Sequence, residues 1–528
     1  MVGQTTVVNR TKTFQGAVCV LNSLHSSVSV LDRLDGRRDN PGQQLQAMHG
    51  FLHRTGITVG ELDKLNIIHV SGTKGKGSTC AFTERILRNY GFRTGFYSSP
   101  HLVHVRERIR INGWPISKQL FTKYFWEAYE RLEDTKEDHG GTMPFYFQFL
   151  TLLAFHVFLQ ERVDLAVIEV GIGGQYDCTN IIRKPWVCGI TSLGFDHCSL
   201  LGDTIEKIAW QKAGIFKPGV PAFTVGQAPS PLRVLQHRAE DIGCPLWVSP
   251  ELDQYEAVVG PVSLGLEGKH QRSNASLALQ LSHGWLQRHK AEQRRGSLGL
   301  APAVGGLSSR AVAFQPSTAM LKGLQETEWL GRNQKLKCGS VTYYLDGAHT
   351  TESMQACVCW FRQEMLQRDQ TQGPALTILL FNTTGERDST ALLRLLQPCQ
   401  FDYVLFCPNI TVTPINNTAH HSVSVCVQHL MARCTENHSS WQRLNATQSI
   451  YPRLVARSAS HSLLFPCILN ALQWISEVEQ PVLTPAGSGG VTQLPVGLKE
   501  VGHVCVLVTG SLHLVGGVLK HLEPSLDS

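Results

Sequence analysis

The run Gly72-Thr73-Lys74-Gly75-Lys76-Gly77-Ser78-Thr79 gathers glycines, ammonium groups and hydroxyls within eight residues. Glycines let backbone N–H groups curl around an anion, and lysines add the opposite charge. Such a run suits phosphate: Lys76 would sit on the β- and γ-phosphates of a nucleotide, with the Ser78 or Thr79 hydroxyl near a metal or a phosphate oxygen. A standard phosphate loop ends Gly-Lys-Ser/Thr, whereas here Gly77 stands between Lys76 and Ser78.

Three further groups belong with it. Glu169 closes the apolar run Leu165-Ala166-Val167-Ile168 and is followed by Gly171-Ile172-Gly173-Gly174. A carboxylate at the carboxyl end of a buried parallel strand points into the crevice where α/β sheets bind ligands. It needs a cation there, and Mg²⁺ is the natural one, because it takes one or two carboxylates plus water and phosphate oxygens. Phe195-Asp196-His197 follows another strand end, which gives His197 a ligand or proton-handling role. Lys212 lies near the end of a predicted helix over 204–216, capped by Asp203 or Thr204, where a lysine is ordinarily a solvated C-terminal charge. Farther on, Tyr344-Leu345-Asp346-Gly347-Ala348-His349-Thr350 repeats the strand, glycine turn and helix, so Asp346 suits a ribose hydroxyl and His349 a base. Arg332 could reach phosphate across a cleft.

The elements that must position these groups alternate. Strands are predicted at 65–70, 92–97, 164–170, 186–193 and 221–225, with helices from about Thr79 to Tyr90 and over 145–161. This order implies a doubly wound, mostly parallel sheet. The stretch 108–116 alternates and carries Asn112-Gly113, a hairpin signal, and its alternating arginines are expected on a solvated strand face. A loose segment is expected over 290–315, centred on the Gly-, Ser- and Pro-rich run from Arg294 to Ser309. Beyond it a second α/β block begins, with strands predicted at 341–345, 375–381, 401–407 and 503–509. Polar stretches near 411–460 and 477–500 are expected to be surface insertions.

The chain has 528 residues, 42% apolar and 17% charged, which supports a large core and excludes a disordered or fibrous protein. A formal charge of +6 gives no ground for nucleic-acid binding but suits an anionic small substrate. Fifteen cysteines without a Cys-x-x-Cys pair point to reduced thiols in a cytosolic or organellar protein. The most apolar stretch, from Phe145 to Leu159, is too short and too polar to span a bilayer. No acidic residue precedes Asp32, a partial match to a mitochondrial presequence that is nonetheless poor in arginine; a frayed cytosolic leader is expected over 1–16.

Taken in order, six motifs resemble the folylpolyglutamate synthase family of the Mur ligase superfamily, in an animal-like spacing. They are Val70 through Ser78, Ser98-Ser99-Pro100-His101-Leu102, Glu169 through Gly174, Asp196-His197, Gln211-Lys212-Ala213-Gly214-Ile215 and Asp346-Gly347-Ala348-His349. The resemblance implies two α/β domains: an N-terminal P-loop domain with a doubly wound, mostly parallel sheet over 17–325, and a smaller Rossmann-like C-terminal domain over 326–528. It implies an ATP-dependent ligase that adds L-glutamate to the γ-carboxylate of tetrahydrofolate polyglutamates through an acyl phosphate, retaining folates for one-carbon metabolism. By the same resemblance Gly75, Lys76, Gly77 and Ser78 hold the ATP phosphates, and Ser99, Glu169 and His197 coordinate Mg²⁺. Arg332, Asp346 and His349 match ATP contacts of the second domain. Lys212 matches a position that is carbamylated in the superfamily, and with Lys76 and His197 it makes up the expected catalytic set. A monovalent cation is compatible with this scheme; a monomer in the cytoplasm with a mitochondrial pool is expected, without nucleic-acid partners. The alternatives are a dihydrofolate synthase joining glutamate to dihydropteroate, a non-catalytic folate- or nucleotide-binding relative, and a generic P-loop kinase or ATPase.

Overall fold

A computed structural model describes residues 12–35, 41–295, 309–368, 375–384, 387–411, 421–446, 461–479 and 503–527. The chain forms two compact units. The first comprises Met1–His101, Val105–Gly265 and His270–Glu328; the second comprises Leu102–His104, Leu266–Lys269 and Trp329–Ser528.

The first unit is built on nine strands: β1 (Ile68–Ser71), β2 (Thr94–Tyr97), β3 (Ile109–Ile111), β4 (Trp114–Pro115), β5 (Leu165–Glu169), β6 (Val187–Ile190), β7 (Ala222–Thr224), β8 (Leu246–Val248) and β9 (Ser309–Arg310). Their order is β4-β3-β2-β5-β1-β6-β7-β8-β9, parallel from β2 to β9, with β3 and β4 antiparallel at one edge. Successive residues of a strand face opposite layers. Ala166 and Ile168 accordingly pack with the helices Phe14–Asp35, Pro41–Arg54, Lys118–Asp134 and Tyr146–Gln160, while Cys188 and Ile190, in register with Ile168 through His69, form a second cluster farther along the same face with Ala209, Ile215 and Leu235. Helix Tyr146–Gln160 is apolar nearly all round, and most of its side chains are buried.

The expected hairpin is present. Ile111 pairs with Trp114, and Asn112 and Gly113 take φ of 50° and 79°, the left-handed pair that a two-residue turn requires. Its arginines differ from expectation. Arg108 is only 4% exposed: its Nε donates to His101 Nδ1 at 3.0 Å, and its guanidinium lies over the rings of Tyr146 and Phe147. A planar, weakly hydrated cation is compatible with such an aromatic slot, and alternation along a short strand does not reveal which side the neighbouring helix covers.

The second unit has six strands: β10 (Gln334–Cys338), β11 (Val341–Leu345), β12 (Ala375–Phe381), β13 (Tyr403–Phe406), β14 (His461–Leu464) and β15 (His503–Thr509). Their order is β10-β11-β15-β12-β13-β14, all parallel except β10. Period-two alternation divides two cores. Ile378, Leu380, Leu405 and Val506 meet helices Ile468–Glu479 and Leu512–Leu522, whereas Leu379, Phe381, Val404 and Leu507 meet Thr351–Gln367 and Ser389–Leu396.

Several segments expected to be loose are ordered in part. Residues 1–11 lie outside the described residues; helix begins at Phe14, with Ala17 and Leu21 buried. The 290–315 segment opens inside helix His270–Arg295 and closes in β9, and 296–308 lie outside the described residues. Within 411–460 a helix runs from His421 to Ala446, and its Cys434 and Trp441 are buried in the second core. Residues 412–420, 447–460 and 480–502 lie outside the described residues.

Candidate functional site

At the end of β1 the backbone turns where side chains cannot follow. A methyl on Gly72 (φ 142°) would lie 1.9 Å from Thr191 Oγ1, and one on Gly75 (φ 88°) would lie 2.2 Å from Asn274 Oδ1. Helix Lys76–Asn89 starts directly at Lys76, three residues before the expected start, because Gly77 and Ser78 belong to its first turn. First-turn N–H groups have no intrahelical acceptor, so polar and glycine residues there do not weaken the helix as they would in its interior. Its N-cap, Gly75, brings no side-chain cap, which leaves an uncapped positive helix end.

Two ammonium groups converge beside that end. Lys76 Nζ donates to the Gly72 carbonyl at 3.1 Å and Lys212 Nζ to the same carbonyl at 2.8 Å. Lys212 is 3% exposed rather than solvated. Helix Ile205–Lys212, capped by Thr204, presents it to the interior, and Gly174 and Gly214 permit the close backbone approach around it. Burial, and then the neighbouring charge of Lys76, push the Lys212 ammonium well below its usual range.

Glu169 ends β5 beside Val70 of β1 and is 4% exposed; the backbone N–H of Ser99 donates to its Oε2 at 3.0 Å. The structure therefore joins Ser99 and Glu169. His197 has φ of 53° and stands at the head of the short helix Cys198–Leu201, with a side chain 40% exposed. Burial, opposed by Asp196 and reinforced by Lys76, Lys212 and Lys74, lowers its pKa, so the imidazole keeps a lone pair.

In the second unit the three predicted residues surround one glycine. A methyl on Gly347 would lie 3.0 Å from Arg332 Nη1. Asp346 accepts from the N–H groups of Asn333 and Ala348, both at 2.9 Å, and His349 Nδ1 lies 2.7 Å from the Gly347 carbonyl.

Residues not anticipated from sequence also line these turns. Gln271 Nε2 donates to Ser78 Oγ at 3.4 Å, and Asn274 Nδ2 donates to Gln271 Oε1 at 2.9 Å. Asp177 accepts from the N–H groups of Gly171 and Ile172, both at 3.1 Å, fixing the glycine run that follows Glu169, while Thr179 links it to buried His69. Nothing local marks Gln271 or Asn274, which lie on a helix far along the chain. Asp177 lies three residues after Gly174, and that proximity to the glycine run was the available signal.

Among the described residues no three His, Cys, Asp or Glu side chains gather as a metal cluster. The structure brings Ser99 and Glu169 together, without a described hydrogen bond from either to His197; a hydroxyl, a carboxylate and an imidazole are nevertheless donor types compatible with Mg²⁺.

No family model matches the chain. It is 54% identical to the mitochondrial folylpolyglutamate synthase of Homo sapiens over 545 residues, covering 97% of this chain and 92% of that one. A Mycobacterium tuberculosis folylpolyglutamate synthase complexed with ADP and AMPPCP shares the fold at a TM-score of 0.65 and 20% identity, covering 95% of this chain and 99% of that one. A folylpolyglutamate synthase complex with AMPPCP and folate does so at a TM-score of 0.65 and 21% identity, covering 97% and 100%.

Proposed function

The chain belongs to the folylpolyglutamate synthase family of ligases, and from that premise we propose that it joins L-glutamate to the γ-carboxylate of tetrahydrofolate polyglutamates with cleavage of ATP to ADP and phosphate. The observation that carries the proposal is the convergence of Lys76 and Lys212 on the Gly72 carbonyl beside an uncapped helix end.

A carboxylate is a poor acyl donor to an amine, so one of its oxygens first attacks the γ-phosphorus of ATP. The P–O bond to ADP breaks and an acyl phosphate forms. The α-amine of glutamate then attacks the acyl carbon and loses a proton; the C–O bond to phosphate breaks, leaving an amide. Gly75, Lys76, Gly77 and Ser78 would hold the phosphates, with Lys76 neutralising charge that grows on the transferring group. Ser99, Glu169 and His197 would hold Mg²⁺, which supplies Lewis-acid polarisation of the phosphoryl oxygens when bound. A monovalent cation is compatible with the same scheme. By the family resemblance Arg332, Asp346 and His349 would be contacts for ATP. Burial favours the uncharged Lys212 amine, the form whose lone pair adds to CO₂; loss of a proton then yields the carbamate.

The mitochondrial designation of the human relative supports a mitochondrial pool, a cytoplasmic pool is proposed beside it, and no helix among the described residues is long and apolar enough to cross a membrane. We expect a monomer. The test is mass spectrometry of products after incubation with ATP, Mg²⁺ and L-glutamate, using tetrahydrofolate monoglutamate in one arm and dihydropteroate in the other. A ladder of glutamate additions in the first arm is expected; products confined to the second would replace this function with dihydrofolate synthesis.

A further inference from the structure

Lys74 and Lys76 stand two apart in the glycine turn, and the sequence gives them the same chemistry. The structure separates them. Lys76 turns towards the Gly72 carbonyl, whereas Lys74 Nζ forms an ion pair with Asp196 Oδ2 at 2.8 Å. The pair is mostly shielded, with side chains 27% and 15% exposed. The second oxygen of Asp196 accepts the backbone N–H of His197 at 3.0 Å, the residue held at φ of 53°.

This ion pair ends a continuous seam between the glycine turn and the loop after β6. The N–H groups of Thr73 and Lys74 both donate to the Ser192 carbonyl, at 2.9 and 3.1 Å. Thr73 Oγ1 donates to the Gly194 carbonyl at 3.0 Å and accepts the Gly194 N–H at 3.1 Å. The backbone bonds fix the start of the loop; Lys74 and Asp196 fix its far end, where His197 leaves the usual backbone range for a non-glycine residue.

We propose that Lys74 is a positioning residue that acts through Asp196 to hold His197 for the divalent cation, rather than a second phosphate ligand. The inference rests on the proposed nucleotide and Mg²⁺ site. Groups that orient metal ligands typically contribute a factor of about 10–100 in metal affinity without touching the ion.

The test uses the full chain with Lys74→Met, Asp196→Asn, the double variant and Lys74→Arg. Calorimetry measures AMPPCP binding without divalent cation, and electron paramagnetic resonance measures Mn²⁺ affinity of the AMPPCP-loaded protein. Lys74→Met should leave metal-free AMPPCP affinity within about twofold and weaken Mn²⁺ affinity at least about tenfold. The double variant should be no weaker than the weaker single one, because each single change already breaks the pair. Lys74→Arg should restore most of the Mn²⁺ affinity, which also controls for misfolding of the methionine variant. A tenfold loss of metal-free AMPPCP affinity in Lys74→Met, or additive losses of Mn²⁺ affinity, would overturn the inference and make Lys74 a phosphate ligand. Failure of the unmodified protein to bind AMPPCP at all would instead remove the nucleotide site on which the inference stands.

Discussion

Both units contain a parallel strand that runs through a glycine turn into a helix, yet the two turns are finished in opposite ways. After β1 the helix starts behind Gly75, which offers no cap, and the Lys76 and Lys212 side-chain nitrogens converge beside it. After β11 the helix starts behind Thr350, whose Oγ1 accepts the Ser353 N–H, and Asp346 absorbs two further backbone N–H groups. One helix end leaves its donors to a ligand; the other satisfies them from its own chain. The uncapped first end is where the proposed nucleotide phosphates would sit. The second instead offers a guanidinium and an imidazole on a turn already closed by its own hydrogen bonds.

The sharpest way to break this contrast is to remove charge from the first turn. Lys76→Ala should lower ligation by a factor on the order of 10²–10³, the usual scale for lost stabilisation of developing charge. ADP release dependent on both folate and glutamate is the measurement, and turnover near the parent rate would refute the anion role of that helix end.

The next largest effect separates the two sheets by acid. Buried His69 on β1 has its pKa lowered from 6.5 to about 3, chiefly by burial and then by Lys217. Between those values the unfolded chain takes up a proton that the folded chain refuses. Stability is therefore complete above about pH 7.5 and falls as pH drops below 6.5, by about 3 kcal/mol at pH 4.5. His69→Gln should flatten that slope in denaturant titrations; an unchanged slope would acquit His69.

Smaller effects test the two turns themselves. Gly75→Ala should cost about 2 kcal/mol through its left-handed backbone, besides pressing on Asn274, and should weaken AMPPCP binding along with thermal stability. Thr350→Ala should cost about 1 kcal/mol as a lost cap, lower the melting temperature slightly and leave AMPPCP affinity unchanged. Equal effects of these two changes on AMPPCP binding would erase the distinction between an open and a closed helix end.

What could be read from the sequence was what is local. Apolar runs with glycine stops located the major parallel strands, and Asn112-Gly113 located the hairpin, because in each case neighbours along the chain fix the backbone. Cations beside glycines marked the first turn, and an aspartate beside a glycine marked the second. Burial was less accessible. Lys212 and Arg108 read as solvated charges, since the chain around Lys212 does not disclose the Gly72 carbonyl, nor β3 the rings of Tyr146 and Phe147. Gln271 and Asn274 carried no signal because Gln271 bonds Ser78 on another helix and Asn274 bonds Gln271 in turn. The polar composition around helix His421–Ala446 concealed Cys434 and Trp441, which pack inwards.

The second unit is not one continuous stretch of polypeptide. Leu102–His104 belongs to it, and Gly516 lets the Leu102 carbonyl come so close that a methyl there would lie 2.0 Å away. The ribosome releases that short strap hundreds of residues before the helix that receives it, so this lobe can be completed only when synthesis is nearly over. A gene fragment starting at Trp329 would therefore encode this lobe without the strap that packs against Gly516.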